Sequence, residues 1–133
     1  RWRDYEPGGP KAGELWMADY LRTLNEIRRA HPALHWLRNI AFHAADDDNV
    51  LVFSKRRRIG GQEDTIIVVA TLDPNATRET WVHLDLPALG LDWGQRFVAK
   101  DLITGQSWQW GADAFVRVGR DVEPVHIIHV RRF

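Results

Sequence analysis

With 133 residues, 15.4 kDa, 44% hydrophobic and 27% charged residues, the chain can bury one sizeable core and is short for two. Eighteen Lys and Arg balance eighteen Asp and Glu, so no global field draws in nucleic acid or an anionic membrane surface. No apolar run nears the ~20 residues of a membrane span, and the absence of cysteine excludes disulfides and thiolate metal sites. A cytoplasmic setting is the expectation.

Residues 1–12 hold Pro7, Gly8, Gly9 and Pro10 and read as a linker or extended arm. This opening has no apolar core of the kind a secretory signal needs. The chain starts at Arg1, its one methionine is Met17, and it carries seven tryptophans. These features suggest a piece of a longer product, taken from a partner it normally packs against.

Residues 13–37 carry a helical period. Trp16, Tyr20, Leu24 and Ile27 recur on one face, widened by Met17 and Leu21. Glu14 suits the positive helix start, and Arg28, Arg29 and His31 suit the negative end. Pro32 disfavours helical geometry at His31, so an amphipathic helix over 14–31 is expected to stop there.

Residues 38–133 read as strands. The expected segments are Ile40–His43, Val50–Arg56, Thr65–Thr71, Glu79–Leu84, Arg96–Lys100, Ser107–Trp110, Ala114–Val118 and Val125–Arg132. The turn signals "ADDDN", "IGGQED", "LDPNA", "ITGQ" and "GRDVEP" separate them. Short strands at such intervals predict an all-β fold, an antiparallel β-sandwich of about eight strands preceded by one amphipathic α-helix. "TIIVVAT" is apolar without alternation, as befits a strand covered on both faces.

The chemistry-bearing residues form no catalytic constellation. His31 and His35 are four apart, but Pro32 interrupts the helix that would pair them on a metal. His126 and His129 are an odd distance apart on a strand and face opposite sides. Asp46-Asp47-Asp48-Asn49 lacks the glycine and glutamate of a helix–loop–helix calcium site, with Leu51 and Arg57 at those positions, and reads as a solvated turn. Lys55-Arg56-Arg57-Arg58 has no interleaved aromatics and is followed by Glu63 and Asp64, so a charged hairpin loop is expected rather than a nucleic-acid site. "NAT" at Asn75 matches a glycosylation acceptor but has no secretion signal to give it meaning. No nucleophile motif, phosphate loop or positioned carboxylate pair is present. The expected catalytic, cofactor-binding and metal residues are therefore none.

"SWQWG", Ser107–Gly111, poses a sharper question. On a strand, Trp108 and Trp110 share one face and Gln109 takes the other. Two adjacent indoles could stack a sugar ring or a nucleobase, or could simply pack. "DLITGQ" before them reads as a hairpin turn, and Phe115 after them is a candidate cross-strand partner. Gln109 points away, and Ala112 and Ala114 offer no polar group beside the rings. Packing is the expectation, with at least one indole more than half buried.

"LNEIRRAHPALHWL", followed by "VLVFSKR" and "IIVVATLDP", resembles the end of alpha-amylase superfamily enzymes. There the last helix of a (β/α)8 barrel runs into "hPAL" and a β-sandwich, domain C, follows. "RWRDY", "DNVLVFSKR", "VHLDLPALGL" and "DLITGQSWQWG" look most like the alpha-1,4-glucan:maltose-1-phosphate maltosyltransferases, bacterial enzymes that extend glucans with retention of anomeric configuration. The resemblance covers nearly the whole chain. It implies that the nucleophilic aspartate, the acid/base glutamate and the transition-state-stabilising aspartate sit on barrel strands upstream of Arg1. A lysine–tyrosine pair that binds donor sugar would lie there too. No family catalytic residue falls on this chain. The family pattern "WGxxNY" departs here, with Ala114 and Phe115 at its last two positions, so no polar role of this loop carries over.

The resemblance thus implies a non-catalytic domain C that stabilises the missing barrel of the same polypeptide. The parent's substrates would be maltose 1-phosphate and alpha-1,4-glucan. A different reading makes the chain a glucan-binding module using Trp108 and Trp110, and another assigns it to some other alpha-amylase superfamily hydrolase. A third makes it an oligomerisation domain, in which the helix stripe would drive self-association.

Overall fold

The computed structural model describes residues 5–6, 9–10, 22, 40–59, 62–73 and 75–133. The chain divides into two units, Arg1–Leu34 and His35–Phe133. In the first, β1 (Tyr5–Glu6) and β2 (Gly9–Pro10) form a two-residue antiparallel ladder. The helix expected over 14–31 lies outside the described residues except for Arg22, which is helical.

The second unit is all-β, with every strand antiparallel to its neighbours. β3 (Ile40–Ala45), β4 (Val50–Ile59), β5 (Gln62–Thr71), β6 (Thr77–His83), β7 (Phe97–Asp101), β8 (Ser107–Trp110), β9 (Asp113–Gly119) and β10 (Val125–Arg131) correspond to the eight expected strands. Their order is β8-β7-β10-β5-β4-β3-β6-β9.

β3 turns this one ladder into two layers by changing partners midway. Ile40–His43 pair with β4, whereas Ala44 and Ala45 pair with β6. β9 consequently packs across β5 and β10. The core between the layers takes Val52, Ile67, Val69, Phe97 and Ile128 from the larger sheet and Val82, Val116 and Val118 from the smaller. A 3-10 turn, Leu86–Leu89, adds Leu86 and Leu89 to it. Asp85 caps that turn, and Gly90 closes it at φ 82°. Such a left-handed backbone carries no Cβ penalty at glycine.

The larger sheet is apolar on its outer face as well. Phe42, Phe53, Val68 and Ile127 stand in register across four strands, and Leu51, Ala70 and Val125 form the next row. Leu51, Phe53, Ala70 and Val125 are all buried. The apolar run in β5 therefore serves two faces, as "TIIVVAT" predicts. The expected strand Val50–Arg56 runs further, so that Arg57 and Arg58 also lie on β4 rather than in a loop, and the ladder with β5 continues to Ile59↔Gln62. Ten-residue partners extend the pairing past the apolar segment that sequence pattern could detect.

Candidate functional site

Among the described strands β8 is an edge strand, paired with β7 through Phe97↔Trp110 and Ala99↔Trp108. The hairpin turn between them is held by Asp101, a fully buried carboxylate. Its Oδ1 accepts the Ile103 N–H at 2.8 Å and the Thr104 N–H at 3.4 Å. Gly105 sits in that turn at φ 81°. Alternation then puts Gln106, Trp108 and Trp110 on one side, while the Gln109 carbonyl accepts from Arg96.

The two indoles are parallel, at 13° and 6.0 Å between ring centres. Trp110 is 7% exposed and meets Phe97 edge-on in the core, whereas Trp108 is 37% exposed. Both are more than half buried, as expected, but Trp108 keeps part of its ring in the open.

That open part faces a groove of about 640 Å³. Phe115, Val116 and Arg117 of β9 line it, with Asp121 and Glu123 of the β9–β10 turn, His126 of β10, and Glu79 of β6. β9 is the other edge strand, so the groove runs between the two ends of the ladder. Two expectations fail here. Phe115 partners Trp81, cross-strand on β6, at 5.4 Å and 66°, and not an indole of β8. The link through Gly111 and Ala112 carries the chain from one sheet to the other rather than around a hairpin. Polar groups do converge beside the rings, because the topology supplies them from β6, β9, β10 and two turns that local sequence could not associate with Trp108.

The described histidines each have separate partners. His126 Nδ1 lies 2.7 Å from Asp101 Oδ2, and its Nε2 lies 2.7 Å from the Arg117 carbonyl. The pair has the outline of an acid–base dyad, but its distal nitrogen is engaged by backbone and presents nothing to a nucleophile. His129 Nε2 meets Asp64 at 2.7 Å. His83 stands between Asp113 at 2.7 Å and Asp46 at 2.8 Å, and those two carboxylates raise its pKa above 6.5. His43 is buried, and desolvation pushes its pKa down to about 4 against the raising effect of Asp85. Its Nδ1 accepts the Asp85 N–H, leaving Nε2–H to donate to Ser54. His31 and His35 lie outside the described residues. Among the described residues no three His, Asp or Glu side chains gather as metal ligands.

Asp46–Asn49 form the β3–β4 turn, where Asp47 accepts the Asn49 N–H and a bond from Arg78. Arg78 also reaches Asp73 at 2.8 Å, tying this turn to the one after β5. Its hydrogen bond, with that of the Asn75 N–H and a smaller effect of its charge, lowers the pKa of the Asp73 carboxyl. The acidic run is thus a structural clamp. No described helix is long and apolar enough to cross a membrane.

The described residues of 40–133 thus form an antiparallel β-domain with its histidines and acidic run tied to fixed partners and an aromatic groove at its edge. Residues 42–130 match the family model "GLGE, C-terminal", and the chain belongs to that family. It is 45% identical over 116 residues to alpha-1,4-glucan:maltose-1-phosphate maltosyltransferase 2 of Streptomyces coelicolor, covering 87% of this chain and 17% of that protein. The Corynebacterium glutamicum maltosyltransferase is 44% identical over 128 residues, covering 95% of this chain and 18% of its own. The Mycolicibacterium smegmatis maltosyltransferase is 41% identical, with coverages of 96% and 18%. The chain therefore spans less than a fifth of the length of these relatives.

Proposed function

We propose that this chain is the non-catalytic C-terminal β-domain of a bacterial maltosyltransferase that extends alpha-1,4-glucans from maltose 1-phosphate. In this reading residues 1–12 are an arm, 13–37 the last helix of a (β/α)8 barrel and 38–133 domain C. The barrel of the same cytoplasmic polypeptide supplies the catalytic carboxylates, and the β-domain stabilises it.

The observation that carries the stabilising role is the outer face of the larger sheet. A solvent-facing antiparallel sheet alternates apolar and polar residues, whereas a sheet covered on both sides does not. In the row Phe42–Phe53–Val68–Ile127, Phe53 is buried, while Phe42, Val68 and Ile127 stay partly exposed, apolar side chains where a free-standing sandwich would carry polar ones. Family membership supports the parent activity, and the separate partners of the described histidines support the lack of catalysis here.

Incubation of the chain with maltose 1-phosphate and glycogen tests the reading. No phosphate release above a buffer blank is expected, and turnover that survives repurification overturns it. In the full polypeptide, Val68→Asp is expected to lower the melting temperature of the catalytic portion. A β-domain that melts early while that portion is untouched would remove the stabilising role.

A further inference from the structure

We propose that the groove between β8 and β9 binds a neutral glucan chain, with the exposed part of Trp108 as the surface against which a glucose ring packs. The choice of an alpha-1,4-linked glucan rests on the parent activity proposed above. The site itself rests on four features of the molecule.

Its size fits. Small-ligand sites span roughly 300–1,000 Å³, and this groove holds about 640 Å³. Its aromatic wall is preorganised. Trp108 is held parallel to Trp110 on one side and edge-on to His126, at 6.1 Å and 87°. An indole locked in place before binding gives up little rotamer freedom when a sugar arrives. Trp110, buried against Phe97, acts as backing rather than as a second stacking surface.

Its polar wall suits hydroxyl groups. Gln106 and Thr104 reach it from the β7–β8 turn, and Glu79, Arg117 and Asp121 reach it from the smaller sheet and its turn. Carboxylate and guanidinium groups can each bond two neighbouring hydroxyls, while the apolar face of a pyranose lies on the indole. Finally, its charge discriminates. Glu79 and Asp121 are set against Arg117, so an incoming phosphate meets more carboxylate than guanidinium. That balance favours a neutral polymer over a sugar phosphate such as maltose 1-phosphate. Phe115, half exposed on the far wall and braced by Trp81, bounds the apolar surface.

Electrophoresis of the chain through gels containing glycogen, dextran or no polysaccharide tests the site. The wild type is expected to be retarded by glycogen and not by dextran. Trp108→Ala should weaken that retardation by about tenfold or more, the loss of one stacking contact. Trp93→Ala should keep it, since Trp93 is 61% exposed and outside the groove lining. A wild type that glycogen does not retard, or an undiminished Trp108→Ala, overturns the proposal, as does equal retardation by dextran.

Should Trp108→Ala fail to fold, Asp121→Asn and the indole N–H resonance of Trp108 in wild type titrated with maltoheptaose provide the same decision. That resonance should shift, and silence there overturns the site. Failure to bind glucan with no phosphate release refutes the groove alone. Phosphate release refutes the non-catalytic reading alone.

Discussion

His43 and Ser54 are joined across β3 and β4 by a 2.8 Å hydrogen bond, with both residues buried. The Asp85 N–H occupies the other ring nitrogen, so the fold holds this imidazole neutral between two fixed partners. Its folded pKa of about 4 lies below the ordinary 6.5. Between those values the unfolded chain takes up a proton that the folded chain refuses. Stability from this group is complete above pH 6.5 and is lost as pH falls towards 4, by about 3 kcal/mol. Urea melts at pH 7, 5.5 and 4.5 should show the decline, and His43→Gln should flatten it. A wild-type profile that is level from pH 7 to 5 would contradict this.

His83 should titrate in the opposite sense. Asp113 and Asp46 raise its folded pKa, so its contribution is present below pH 6.5 and is lost as pH rises through the raised value. The ring is solvent-exposed and the contribution small. An NMR titration that follows each ring should find His83 still protonated at a pH where His43 has long been neutral. Asp113→Asn should bring the His83 midpoint down, and an unmoved midpoint would show that the pair does not control it.

Gly119 and Gly105 separate two causes of strain. Both have positive φ, at 144° and 81°, but a Cβ at Gly105 meets open space. A Cβ at Gly119 would run into the Ala76 carbonyl and come within 2.6 Å of Thr77 Cα. Gly105→Ala should cost about 1 kcal/mol, the backbone term alone, whereas Gly119→Ala should cost about 3 kcal/mol or more. Equal losses in denaturant melts would mean that β9 can shift away from β6 at little cost.

Most of the strands were legible because each pairs an apolar pattern with a turn signal within a few residues. "DLITGQ" is one such signal, and its buried Asp101 and Gly105 are the residues that make the turn. What sequence could not reveal is which strand ends meet in space. The Trp81–Phe115 pair joins residues 34 apart in the chain through a ladder that local pattern does not specify. The groove depends on the same long-range geometry, since Trp108 and Arg117 lie on edge strands at opposite ends of the ladder. Ala112 and Ala114, adjacent in the chain, do not line the groove. The residues that matter arrive from β6, β9 and β10.

The two indoles should differ in what they contribute. Trp110 is 7% exposed, sits edge-on to Phe97 at 6.3 Å and belongs to the core cluster. Its replacement leaves a void between the β7–β8 hairpin and the sheet, because the backbone around Phe97↔Trp110 is fixed by the ladder and cannot collapse into the space. Trp110→Ala should therefore cost about 3–5 kcal/mol. Trp108 is 37% exposed and outside that cluster, so its truncation mostly returns to water a surface already half wet. Trp108→Ala should cost about 1–2 kcal/mol. If the groove were simply an incompletely packed edge, the two losses would approach each other and Trp108→Phe would stabilise by filling it better. Denaturant melts of the three variants decide the point, and a loss at Trp108 as large as that at Trp110 would count against an indole kept open for a ligand.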